Sequence, residues 1–201
     1  GMSYGGGISD SYATGNVTAN EIAGGLVGEF ETPLSSVVVE DVYATGSVSS
    51  DGDAAGGLIG ALYGTASGNL DDFVIRNSYA TGDVEGPFRT GGFVGRASGF
   101  SIESSHSTGS ISNPASSPST FGAVGWGGFL GTAGDVKVAG SYTTANSVNG
   151  GSEHVGGFIG FSSPYTYVDD SYAQVGLVSG DDTVGGFLGE ATSAEITNVY
   201  T

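Results

Sequence analysis

A five-residue glycine box, Gly24-Gly25-Leu26-Val27-Gly28, recurs five more times and limits what this chain can fold into. The later copies are Gly56-Gly57-Leu58-Ile59-Gly60, Gly91-Gly92-Phe93-Val94-Gly95, Gly127-Gly128-Phe129-Leu130-Gly131, Gly156-Gly157-Phe158-Ile159-Gly160 and Gly185-Gly186-Phe187-Leu188-Gly189. Their second glycines are 32, 35, 36, 29 and 29 residues apart, a unit of 29 residues with insertions. A repeat of this length buries its apolar face by stacking on its neighbours.

A second marker lies between the boxes. It reads Ser11-Tyr12-Ala13-Thr14-Gly15, Val42-Tyr43-Ala44-Thr45-Gly46 and Ser78-Tyr79-Ala80-Thr81-Gly82. Looser copies surround His106, Tyr142 and Tyr172, and Val199-Tyr200-Thr201 begins a seventh. Four residues before each ring stands Ile8, Val39, Ile75, Ile102, Val138, Val168 or Ile196. Two before it stands Asp10, Asp41, Asn77, Ser104, Gly140, Asp170 or Asn198, mostly residues that tolerate a left-handed backbone at a tight corner.

The two markers in register resemble the GLUG-motif repeats of large bacterial and archaeal surface proteins, found also in the amino-terminal regions of IgA-specific metallopeptidases. The resemblance spans nearly the whole chain and implies a structural or adhesive array. It carries no metallopeptidase chemistry here, because His106 and His154 are the only histidines and no His-Glu-x-x-His occurs.

Helical periodicity is absent, while short β-rich runs punctuated by Gly and Asn/Asp recur three to a unit. In the third unit these are Phe73-Val74-Ile75, Tyr79-Ala80-Thr81 running to Val84, and Gly92-Phe93-Val94-Gly95. The pattern predicts an all-β fold: a right-handed parallel β-helix of about six coils with three short strands per coil. Residues 1–201 then form a single domain and read as a segment excised from a longer chain, with Gly1 a cloning remnant. Loop insertions are expected near 30–36, 62–72 and 113–121. The Tyr and Ile/Val columns are expected to point inward. The two consecutive apolar residues of each box cannot both face inward on a straight strand. Either a corner or bulge lies beside the glycines, or one column lies under a neighbouring loop.

Four Lys/Arg against 21 Asp/Glu give a formal charge of −17, which disfavours nucleic acid and anionic membrane as partners. No apolar run is long enough to insert in a membrane. Cysteine is absent, which excludes disulfides and thiolate metal sites.

No catalytic residues are expected. Asp71-Asp72, Asp169-Asp170 and Asp181-Asp182 are neighbours that face opposite ways on a strand, so none is an acid/base pair. No cofactor is implied. Calcium has weak candidate ligands in Asp51, Asp53, Asp71 and Asp72, without the spacing of a known calcium loop. Binding candidates are Trp126, a contact residue if exposed and otherwise core, with Asn113 and Ser119 in the turn-rich insertion beside it. Asn16-Val17-Thr18 is a glycosylation sequon, conditional on a glycosylating pathway. The Thr14, Thr45, Thr81, Thr108 and Thr144 column raises ice binding as a remote alternative.

The expected role is a non-catalytic, secreted or cell-surface structural or adhesive module: a stalk, filament or adhesin segment. The alternative is a polysaccharide-binding or polysaccharide-cleaving β-helix. Expected partners are neighbouring coils of the parent protein or other copies end to end, and surface glycans.

Overall fold

The computed structural model describes residues 2–4, 6–31, 37–64, 69–114, 124–151 and 153–201. Every strand pairing among them is parallel, and each joins a residue to its counterpart one repeat away. The result is a parallel β-helix of about six coils. Residues 32–36, 65–68 and 115–121 of the predicted insertions lie outside the described residues. The second one ends in a 3-10 turn, Leu70–Asp72, capped by Asn69.

Each coil contributes to four sheets, a correction to the three strands read from the sequence. The second coil runs Val37–Glu40, Tyr43–Ala44, Val48–Ser50, Ala54–Gly56 and Ile59–Tyr63. Tyr79–Ala80 and Val84–Glu85 are likewise separate strands in separate sheets. The break falls at Thr-Gly, where the glycines of successive rungs lie over one another's backbone and the chain turns. A Cβ on Gly82 would come within 3.0 Å of Ser47 N. The first and last strands of a coil share one twelve-stranded sheet, and in Val94–Glu103 and Leu130–Ala139 they merge into one ten-residue strand.

Alternation fixes the walls of this sheet. Val37 and Val39 are buried while Val38 and Glu40 face outward. Val136 and Val138 are buried while Lys137 is exposed. At the following corner Asp10, Asp41, Asn77, Ser104, Gly140, Asp170 and Asn198 all have positive φ, between 46° and 58°. Even the two atypical residues, Ser104 and Gly140, adopt this conformation.

A serine ladder seals the corner from within. Ser78, Ser105, Ser141 and Ser171 are buried. The Ser105 hydroxyl donates to Glu103 O at 2.8 Å and accepts from Ser78 N at 3.2 Å. Ser141 and Ser171 repeat the pattern, accepting from Ser105 N and Ser141 N at 3.2 Å. Each hydroxyl thus satisfies a buried backbone donor at the rung where the turn interrupts the sheet.

Two apolar cores result. One joins the twelve-stranded sheet to the box residues, with Phe93, Phe129, Phe158 and Phe187 stacked 4.7–4.8 Å apart. The other holds Val48, Val84, Ile111, Val148, Trp126 and Val155. Both apolar box residues face the first core because the chain bends at the glycines. Leu58 N and Ile59 N both donate to Phe93 O, at 2.9 and 3.1 Å.

Candidate functional site

The aromatic column does not point into the core. Tyr12, Tyr43, Tyr79, His106, Tyr142, Tyr172 and Tyr200 stack on the outside as one ladder, with centroids 4.7–5.1 Å apart and planes within 12° of parallel. The end rings, Tyr12 and Tyr200, are each 64% exposed, and the inner rings are half-buried by their neighbours. The inward place belongs to the following residue: Ala44, Ala80, Ser107, Thr143 or Ala173, all buried.

The physical reason for this correction is the second glycine of each box. It packs directly against this small residue, and a Cβ on Gly57 would lie 2.9 Å from the Ala80 Cβ and closer still to Gly92 O. There is no room for a ring on that side, so alternation puts the ring outside. A stacked ladder offers ring edges to solvent and faces only at its ends. Flat saccharide rings cannot lie along it as they would on a face-on platform. The Thr column runs two residues farther along, on the same outward side.

A concavity that gathers both signs of charge lies beside the box. Here the strands before and after the glycines approach so closely that a Cβ on Gly60 would meet Ala23 O at 2.6 Å and Ile22 Cγ2 at 2.7 Å. Side chains seven apart across the box therefore meet outside the bend. Arg89 and Arg96 converge on the Asp53 carboxylate, Arg89 by a direct ion pair and Arg96 at 3.8 Å. The Arg96 guanidinium also rests against Tyr63, 5.0 Å from the ring centroid. Burial raises the Tyr63 phenol above its ordinary range, an effect that Arg96 opposes. Asp53, Arg89 and Arg96, with Asn20, Glu21, Asp51 and Phe88, line a recess of about 580 Å³, within the size range of small-ligand sites.

The same bend two rungs on brings His154 against Phe161, 5.0 Å between centroids. His154 Nδ1 lies 2.7 Å from Thr183 Oγ1 and 3.2 Å from a Glu190 carboxylate oxygen.

The sequence of this third rung decides the family resemblance. Residues 86–112 match the GLUG motif. The matched span holds the third box, Arg89, Arg96, the Ser104 corner and His106. No curated protein matches the chain significantly. No solved structure does either. The GLUG motif is a repeat of surface and extracellular proteins. Among the described residues no helix is long and apolar enough to cross a membrane.

Trp126 adjoins the GLUG span and is only 2% exposed, so the contact role conditional on exposure does not hold. It fills the second core, and its indole N–H donates to Gly86 O at 2.9 Å. Gly151 leaves the space, since a Cβ there would sit 2.8 Å from the Trp126 ring. Asn113 touches the same glycine and is half-buried, and its Oδ1 has no hydrogen-bond partner. Ser119 lies outside the described residues.

Of the proposed calcium ligands, Asp51 and Asp53 share the recess, where two guanidinium groups occupy the position a cation would need. Asp71 Oδ1 lies 3.5 Å from Lys137 Nζ and accepts from Ser101 Oγ at 3.3 Å. Asp72 accepts from Asn69 at 3.0 Å. No group of three or more metal-ligating side chains forms among the described residues. Asn16 is exposed, and its Oδ1 accepts from Ser47 N at 3.0 Å. This bond ties up the oxygen of the sequon side chain and not the nitrogen that a glycan would modify.

The serine ladder and the recess escape the sequence patterns. Serines before the rings are visible as Ser78, Ser105, Ser141 and Ser171, but their burial and hydrogen-bonding duty appear only once the corner is built. Arg89 and Arg96 are seven apart, a spacing that means nothing until the glycine bend folds them together.

Proposed function

We propose that this chain is a non-catalytic structural or adhesive module of a secreted or cell-surface protein, a stiff spacer that presents its outer walls. The observation that carries this is the unbroken register of the rungs. Gly24, Gly56 and Gly91 pair in line, as do Gly127, Gly156 and Gly185. A solenoid of this kind gains length by adding coils and leaves its side walls free for contact. At the last coil Phe187, Leu188, Ile196 and Val199 are only half-buried, which suits packing against further coils or a second copy.

The recess around Asp53 favours a second reading, polysaccharide binding, since mixed carboxylate and guanidinium groups hydrogen-bond to sugar hydroxyls well. One experiment separates the possibilities: a glycan array with and without calcium, followed by incubation with the same polysaccharides and assay for new chain ends. A spacer binds nothing, and an adhesive module binds without cleaving. Release of new ends would overturn the non-catalytic proposal. End-to-end packing is tested by sedimentation. Association should grow with concentration, and a strict monomer at millimolar protein would refute it.

A further inference from the structure

We propose that Tyr165 and Tyr167 form a contact site for neutral sugars on the outer wall of the twelve-stranded sheet. The proposal rests on the adhesive reading above and gives it a place and a ligand class.

Tyr165 stands where the fold has no use for a ring. Its φ is 63°, in the left-handed region that bulky L side chains avoid. The same position is Asp135 one rung earlier, at 52°, and Gly99 two rungs earlier, at 79°. Glycine and aspartate suit that backbone, and tyrosine does not. The Tyr165 ring is also 64% exposed, so it adds little to either core. Backbone strain held without a packing gain points to a role in contact.

The strand Thr166–Asp169 follows directly. Thr166 and Val168 are buried, while Tyr167 and Asp169 face outward, Tyr167 being 42% exposed. Tyr167 pairs with Lys137 on one side and with Glu195 on the other. With Asp169 and Thr197 these three line a shallow recess of about 250 Å³, for which the short side chain of Ala139, beside Asp169, leaves room.

These rings offer what the ring ladder does not. Ladder tyrosines cover one another's faces, as Tyr43 and Tyr79 do at 4.9 Å. Tyr165 and Tyr167 belong to no ring stack among the described residues. Along its column Tyr165 has only the short side chains of Asp135 and Ser193 for neighbours, so its faces are open. An aromatic face carries partial negative charge, and a pyranose presents a face of C–H bonds with partial positive charge. The hydroxyls of a sugar stacked there point sideways, toward hydrogen-bonding groups such as Lys137, Asp169 and Glu195. The exposed neighbours are charged rather than aliphatic, which suits a sugar better than the apolar core of a protein interface.

Charge narrows the class further. Lys137 is the one cation lining the recess, and its Nζ lies 3.5 Å from Asp71 Oδ1. Asp71, Asp135, Asp169 and Glu195 outnumber it, in a chain of formal charge −17, so uronate and sulfated sugars are repelled.

The test is affinity electrophoresis of the full chain through gels containing mannan, xylan, galactan or β-glucan, or the acidic polymers alginate and polygalacturonate. Retardation by at least one neutral polymer is expected, and none by the acidic ones. Tyr165→Asn replaces the ring by a residue that suits the left-handed backbone. Its melting temperature should equal or exceed that of the parent, while its affinity falls about tenfold, the loss of roughly one ring contact. Tyr167→Ser should weaken binding to a similar degree, with circular dichroism confirming the fold. Arg96→Gln probes the Asp53 recess in the same gels. If none of the polymers retards the chain, the site and the glycan-adhesive reading are both overturned. Retardation that persists in both tyrosine variants, or that falls only in Arg96→Gln, overturns the site and leaves the adhesive reading standing. A preference for the acidic polymers overturns the ligand class, and a lower melting temperature in Tyr165→Asn overturns the argument from strain by assigning the ring to the fold.

Discussion

Replacing Phe129 by alanine tests which of the two aromatic stacks holds the solenoid together. Phe129 is fully buried between Phe93 and Phe158, at 4.7 and 4.8 Å. Its removal forfeits the transfer free energy of a phenyl group and leaves a cavity that fixed backbones on both rungs cannot close, a loss of about 3–5 kcal/mol. Tyr79 also has two stacked neighbours, Tyr43 and His106, at 4.9 and 5.1 Å. It stands on the outside, so Tyr79→Ala opens a surface notch that water fills. What is lost there is mainly two ring–ring contacts at about 0.5–1.5 kcal/mol each, or about 1–3 kcal/mol together. Against a total stability of roughly 5–15 kcal/mol, the first change is severe and the second moderate. Reversible urea denaturation of the full chain measures both. Near-ultraviolet circular dichroism should be recorded alongside, since solenoids can unfold in parts. A loss at Tyr79 equal to or greater than that at Phe129 would refute the outward placement of the ring ladder.

Gly57→Ala forces a Cβ against Gly92 O and the Ala80 Cβ and should cost at least the ~1–3 kcal/mol typical of overpacking, whereas Gly15→Ala, with nothing within 4 Å, should stay within about 0.5 kcal/mol by the same denaturation assay. His106 has its pKa lowered by burial, so between the folded and unfolded values the unfolded chain binds more protons. The stability carried by its neutral ring is complete above the unfolded value of 6.5 and is lost as pH falls from there through the folded pKa. The melting temperature should therefore drop more between about pH 8 and pH 5 in the parent chain than in His106→Tyr, and equal drops would exclude this contribution. With a formal charge of −17, the melting temperature should rise with sodium chloride as like charges are screened, and a flat response would show that self-repulsion is unimportant.

The sequence by itself determined the repeat, the parallel stacking and the corners. A fixed spacing makes successive rungs equivalent, and equivalent rungs of β-rich residues have parallel pairing as their simplest way to satisfy the backbone. The corner positions were legible because left-handed backbone is a local steric matter, readable in Asp10, Asp41, Asn77, Asp170 and Asn198. The same local logic held even where Ser104 replaced them.

Which side of a column faces inward was decided by tertiary structure. Alternation along Tyr79-Ala80 says that the two residues point opposite ways, but not which way is in. That choice came from across the coil, where Gly57 lies against Ala80 and leaves no depth for a ring. Trp126 went inward for the complementary reason, because Gly150 and Gly151 of the next rung open a space its own strand does not reveal. The recess that joins Asp53, Arg89 and Arg96 likewise depends on a bend whose tightness arises from backbone meeting backbone. Period and local chemistry are carried by single positions. Facing and proximity belong to pairs of positions far apart in the chain, and only the packed coil brings those pairs together.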